Sequence, residues 1–274
     1  MKFLIYFLFT LFMVSGAEGK ERSFTGSTPA GPVVKSFLGI PLADSVDFIR
    51  WKLVMRDNEY SLSCHYGIGK PNTNGFMNGG KKIELKGNLK KVQHYYLLQN
   101  AGKTLSVAEL NEDLLHLSNP NNSLLVGNAG WSYILNSIKP SRTDQVSLTS
   151  TPTAFKDSMT FQGRTPCAVP GIIPSGTECY KLKWYLVLYG NGPKKDEGKY
   201  KVFGTPWREK GGRTGKWKIT TGKNGRIIYQ LNDENGKGFI YLLKLDDNVL
   251  VFTDAQGRLL VGDEDFSYTL NRSE

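Results

Sequence analysis

The sequence predicts an all-β protein built as two small antiparallel β-barrels in tandem. Three observations predict it. A thirteen-residue segment occurs twice, as Leu124–Asn136 and Leu259–Asn271, without a gap, at a constant offset of 135 and with eight identities. Apolar residues recur with period two in short runs separated by Gly, Asn, Asp and Pro, the pattern of half-buried strands joined by turns. Composition agrees, with 30 Gly and 12% aromatic residues among 274, favouring β structure rich in turns. An open meander would leave edge strands unpaired, and closure into a barrel removes them. Two sandwiches are the alternative.

The chain opens on an export signal, residues 1–17. Met1-Lys2 is a positive start, Phe3 to Val14 is apolar, and Ser15-Gly16-Ala17 fits a small-residue cleavage site, with Ala17-Glu18-Gly19 as a second option. The apolar run falls short of the roughly 20 residues of a membrane span. No Cys stands near the cleavage point, so a periplasmic or extracellular protein without a lipid anchor is expected. Residues 18–35, rich in Gly, Ser, Thr and Pro, read as a disordered tail.

Module 1 spans residues 36–136. Its first strand is Ile49–Met55, with Trp51, Leu53 and Met55 on one face, and Tyr60–Tyr66 returns after Arg56-Asp57-Asn58. Short strands follow near 82–85, 92–99, 104–110 and 113–117. Residues 137–160 form a linker, ten of the twenty-four being Ser or Thr. Module 2, residues 161–274, repeats the order. Phe161-Gln-Gly-Arg-Thr-Pro166 is paired with Phe37-Leu-Gly-Ile-Pro41, Trp184 with Trp51, and Lys216–Thr220 with Lys82–Leu85.

Export places the three cysteines in an oxidising compartment. Cys167 and Cys179 flank a Pro/Gly-rich loop and are expected to form a disulfide worth about 3 kcal/mol. Cys64 shares the parity of Leu62 and is expected to be buried in a strand.

Module 2 carries Gly163, Pro166-Cys167, Trp184-x-Leu186-x-Leu188-Tyr189, Gly198-x-Tyr200, Gly215-x-Trp217-x-Ile219, Tyr229-x-Leu231, Asp254-x-x-Gly257 and Tyr268-x-Leu270. This order resembles the N-terminal domain of NlpE-type envelope proteins, above all Bacteroidetes-type members. The likeness covers module 2 well and module 1 only weakly. It implies a lipocalin-like barrel in the bacterial envelope, linked to copper resistance and to sensing of envelope stress. This chain departs from the family in lacking the lipid-anchor Cys and the Cys-x-x-Cys, since Cys167 is followed by Ala168-Val169-Pro170.

No catalytic set is expected. There is no Gly-x-Ser-x-Gly elbow and no phosphate loop, module 2 has no His, and the acids Asp246/Asp247 and Asp263/Glu264/Asp265 stand at turns. Asn232–Gly236 reads as a hairpin turn and not a calcium loop. No metal site or cofactor is expected. The residues that would make a soft-metal site for copper are Cys64, His65, His94 and His116, with Met55 and Met77. Cys64 and His65 are adjacent and should face opposite ways on a strand.

Net charge is +10, which favours anionic partners. The basic concentration is Arg208, Lys210, Arg213, Lys216, Lys218, Lys223 and Arg226, interleaved with Trp207 and Trp217. It is expected on the surface, where it could touch anionic lipid headgroups. Nucleic acid is not expected of an exported chain. The expected function is that of a monomeric, non-enzymatic envelope protein acting in stress, copper homeostasis or partner binding. The alternative is a carrier of a small apolar ligand in a barrel lumen, against which the bulk of Trp51, Leu53, Met55, Trp184, Leu186 and Leu188 weighs.

Overall fold

A computed structural model describes residues 21–141, 146–147, 157–173, 177–191, 194–205, 207, 211–222 and 225–273. The expected export signal lies outside them. Two closed eight-stranded antiparallel barrels follow one another along the chain. Barrel 1 runs through β1 (Arg22–Thr28), β2 (Phe48–Arg56), β3 (Glu59–Gly67), β4 (Lys81–Val92), β5 (Tyr95–Asn100), β6 (Lys103–Glu109), β7 (Leu114–Ser118) and β8 (Ile134–Ser137). Barrel 2 runs through β9 (Ser158–Thr165), β10 (Leu182–Asn191), β11 (Lys194–Gly204), β12 (Arg213–Thr221), β13 (Ile227–Asn232), β14 (Gly238–Lys244), β15 (Val249–Thr253) and β16 (Thr269–Ser273). Each strand pairs with the next, and β8 and β16 return to β1 and β9.

Residues 22–35 are not a disordered tail. They supply β1, the first stave of barrel 1, and most of the helix α1 (Pro32–Leu38). Module 1 therefore starts at Arg22. The strand escaped a search for apolar alternation because its face shared by Phe24, Gly26 and Thr28 holds a single large apolar residue. Its recovery also corrects the repeat. Phe24-Thr-Gly-Ser-Thr-Pro29, and not Phe37–Pro41, matches Phe161-Gln-Gly-Arg-Thr-Pro166.

Each feature of that motif has the same task in both barrels. Thr28 Oγ1 accepts the Trp51 indole N–H at 2.9 Å, and Thr165 Oγ1 accepts that of Trp184 at 2.9 Å. A buried indole N–H needs such an acceptor. Gly26 and Gly163 admit a crossing backbone: a Cβ there would stand 2.7 Å from the Ile134 carbonyl oxygen and 2.5 Å from that of Thr269.

The interiors are filled by the chain itself. Trp51, Leu53, Met55, Leu62 and Cys64 in barrel 1, and Trp184, Leu186, Leu188, Tyr200 and Trp217 in barrel 2, are at most 4% exposed. The connection after the first strand closes one end of each barrel by different means. In barrel 1 it is α1, which starts on Pro32 and stops at Gly39 (φ 72°). It packs Val34, Phe37 and Leu38 into the core. In barrel 2 it is the loop closed by the Cys167–Cys179 disulfide, which presents Val169, Ile172 and Ile173 to the core. The hydroxyls of Tyr133 and Tyr268, at matching places in the repeated segment, tie to the backbones of Gly31 and Ala168 in these caps.

The repeated segment joins the barrels. Asn136 Oδ1 accepts the Gly262 N–H at 2.9 Å, and Asn271 Oδ1 accepts the Gly127 N–H at 2.8 Å. The Ser132 and Ser267 hydroxyls meet at 2.5 Å. These contacts are reciprocal, as across a two-fold axis. Beside them Leu110, Leu114 and Ile134 of barrel 1 share an apolar core with Leu243, Leu245, Val249, Val251 and Leu259 of barrel 2.

Candidate functional site

A hollow of about 450 Å³ opens where the barrels meet. On the barrel 1 side Phe48, at the start of β2, stacks between Phe76 (4.3 Å) and Trp131 (4.7 Å). The loop 69–75 folds over this stack, held by the Gly69 N–H donating to Asp47 Oδ2 at 2.7 Å. Asp265 crosses from barrel 2 and is gripped by Arg50 and by Asn74, each at 2.5 Å. Both acids lining the hollow are thus engaged in building it.

The barrel 2 wall is cationic. Arg164 on β9 and Lys183 on β10 are register partners on one outward face, and Lys181 precedes β10. The Arg164 guanidinium lies 5.5 Å from the Trp131 ring centre, and the Lys181 ammonium 5.4 Å from that of Phe266 and 5.0 Å from that of Tyr180. Among the described residues, Arg164, Lys181 and Lys183 enter no salt bridge. Burial holds the Lys181 ammonium below its ordinary pKa, with repulsion from Arg164 and Lys183 adding to it against the opposing pull of Asp265. Three cations held together, with the nearby Asp265 already engaged by Arg50 and Asn74, favour an incoming anion.

A wider hollow of about 640 Å³ lies between the outside of barrel 1 and residues 261–264. Two of its polar groups, Arg50 and His65, are already engaged, by Asp265 and by the Gly79 carbonyl, and its remaining charges, Lys52, Asp263 and Glu264, are of both signs.

The residues singled out from sequence are placed as follows. The Cys167–Cys179 disulfide is formed, with Cα atoms 6.0 Å apart. Cys64 is free and buried in barrel 1, where burial, and next Glu84, push its thiol well above its usual pKa. His65, its neighbour, donates to the Gly79 carbonyl on the other face of β3. His94 is exposed at the β4–β5 turn. His116 is fully buried on β7, its Nδ1 2.8 Å from the Leu117 oxygen, and burial lowers its pKa to about 4. Met55 packs in the interior while Met77 is exposed. These groups are not brought together.

The basic concentration is also divided. Lys216 and Lys218 are exposed on β12. Arg213 lies over the Phe239 ring at 4.3 Å. Arg226 is buried, 5% exposed, and is not a surface cation. Trp217 donates its indole N–H to the Tyr189 carbonyl, and Trp207 packs edge-on against Trp184. Both belong to the core, as the period-two alternation of β12 requires for Trp217 beside Lys216 and Lys218. Arg208, Lys210 and Lys223 lie outside the described residues. The turn acids act as backbone acceptors: Asp246 takes the N–H groups of Asn248 and Val249, and Asp263 those of Asp265 and Phe266.

Sequence reasoning missed Asp47, Phe48, Arg164, Tyr180, Lys181 and Lys183. Their one signal was the aromatic pair Trp131/Phe266 within the repeat. Set against protein-family models, curated proteins and solved structures, the chain matches none. Among the described residues no helix is long and apolar enough to cross a membrane.

Proposed function

We propose that this is an exported, non-enzymatic binding protein of the cell envelope, whose recognition site is the cleft between the barrels. The observation that carries the reading is the convergence of Arg164, Lys181 and Lys183, without ion-pair partners among the described residues, on a hollow walled by Phe48, Trp131 and Tyr180. Such a site takes an anionic group whose attached framework lies against Tyr180, 57% exposed at the rim. The disulfide supports an oxidising compartment, and the likeness to NlpE-type barrels supports an envelope setting. The packed interiors weigh against a lumen carrier.

The test is native mass spectrometry of the protein isolated from its own host, beside the R164Q/K183Q variant. A retained mass present in the wild type and absent from the variant is the expected result. A bare wild-type protein, or an adduct indifferent to the substitutions, overturns the reading.

A further inference from the structure

The outward face of β10–β12 carries a second, separate set of cations. Outward positions are fixed by register: Tyr185 lies beside Phe203, Val187 beside Lys201, Tyr189 beside Lys199, and Lys199 beside Lys216. Lys218 continues the row next to Glu197. Lys199, Lys201, Lys216 and Lys218 enter no salt bridge among the described residues. Between them stand two exposed tyrosines, Tyr185 at 41% and Tyr189 at 42%. Among the described residues, acids reach the face only at its end, as Asp157, Asp196 and Glu197. A hollow of about 320 Å³ opens between Tyr189, Lys199 and Lys216, with Glu197 on its wall.

The same face of barrel 1 is built differently. Arg50 pairs with Asp265 and Arg56 with Glu21, and Glu84 sits among Lys82 and Lys86. The one aromatic at an outward β1–β3 position, Phe48, is buried between Phe76 and Trp131 and leaves no exposed ring on that face. Common scaffold constraints therefore do not account for the decoration of barrel 2.

We infer that this face of barrel 2 docks on a bilayer surface bearing anionic headgroups. Lysines give the attraction to the surface potential, and amphipathic tyrosines suit the headgroup level. The outside of a barrel is convex, and its lysines spread over two adjacent strands, β11 and β12, with the tyrosines on β10 beside them. That geometry fits a broad surface better than a linear acidic polymer, which is held best in a groove. The inference is independent of the cleft, because none of the four lysines lines it.

The experiment is co-sedimentation of the purified protein with large vesicles of phosphatidylcholine alone or with about one third phosphatidylglycerol. Binding is expected only to the anionic vesicles, and is expected to be lost on raising salt from about 0.1 M to about 1 M. At about fivefold per cation, K199Q/K201Q/K216Q/K218Q should weaken it roughly a hundredfold or more. Y185A/Y189A, with charge unchanged, should weaken it several-fold. The control K82Q/K86Q, on barrel 1, should retain most of it. Equal loss in that control would reduce the effect to net charge and overturn the inference. So would equal binding to neutral vesicles, or binding to soluble polygalacturonate with none to either vesicle. Thermal unfolding of each variant separates loss of binding from loss of fold.

Discussion

The two barrels share strand count, strand order and the Phe-x-Gly-x-Thr-Pro first strand, yet they close and present themselves differently. Barrel 1 is capped by a helix that buries Val34, Phe37 and Leu38. Barrel 2 is capped by a loop that buries Val169 and is held by a covalent bond. Barrel 1 pairs Arg50 and Arg56 with acids and sets Glu84 between Lys82 and Lys86, whereas barrel 2 presents a lysine face with acids at its end. The shared framework is thus set by interior packing and by the surface where the halves meet, while the caps and outer faces vary.

The sharpest way to break this comparison is through the caps. Phe37→Ala should destabilise barrel 1 by about 3–5 kcal/mol. Hydrogen exchange read separately over the two barrels should show the loss confined to residues 22–137. Uniform loss of protection would mean that the barrels unfold as one unit. His116 should give the next largest effect. Its folded pKa is lowered from 6.5 to about 4, so between these values the unfolded chain binds more protons. Its contribution is complete above pH 6.5, falls as pH drops, and is lost by about pH 4. The difference is about 3 kcal/mol. The matching residue of barrel 2 is Val251, and His116→Val should flatten the pH dependence of urea midpoints over that window.

Cys167→Ser/Cys179→Ser should lower the stability of barrel 2 by about 3 kcal/mol and leave barrel 1 unchanged. Reductant should reproduce the effect in the wild type and add nothing in the variant. Smallest is the test of sameness. Thr28→Val and Thr165→Val each leave an indole N–H without its acceptor and should cost about 1–3 kcal/mol apiece. Unequal losses in denaturant titrations would show that the two threonine–tryptophan bonds have diverged in weight.

Much of the framework was legible because strands such as Ile49–Met55 and Leu182–Tyr189 alternate strongly. The first strand was not. Gly26 is inward to let a neighbouring backbone pass, and Thr28 to accept an indole N–H, so neither leaves an apolar signature. Once the structure supplies the pairing, Phe24–Pro29 and Phe161–Pro166 are plain duplicates. The repeated thirteen residues marked the duplication, but their task was hidden. Gly127, Ser132 and Asn136 meet the other copy, and only the placed barrels show it. The cleft was hidden for the same reason. Arg164 and Lys183 become neighbours through the β9–β10 register, and Phe48 and Asp47 reach them from the other half. The histidine set was misleading because adjacency in sequence puts Cys64 and His65 on opposite sides of one strand.

The reciprocal bonds of Asn136 and Asn271 have a further consequence. Each half presents the surface that its twin recognises, so a half parted from its twin would meet the corresponding half of another molecule on equal terms. The connecting segment settles the competition, holding the twins at an effective concentration in roughly the millimolar range. At lower protein concentrations the chain closes on itself. Crowded far enough, it would exchange halves and form swapped pairs without inventing a new contact. Covalent linkage also frees each copy from having to match itself. A dimer of identical chains must carry every change twice, whereas here one side of the cleft can turn cationic while the other stays aromatic.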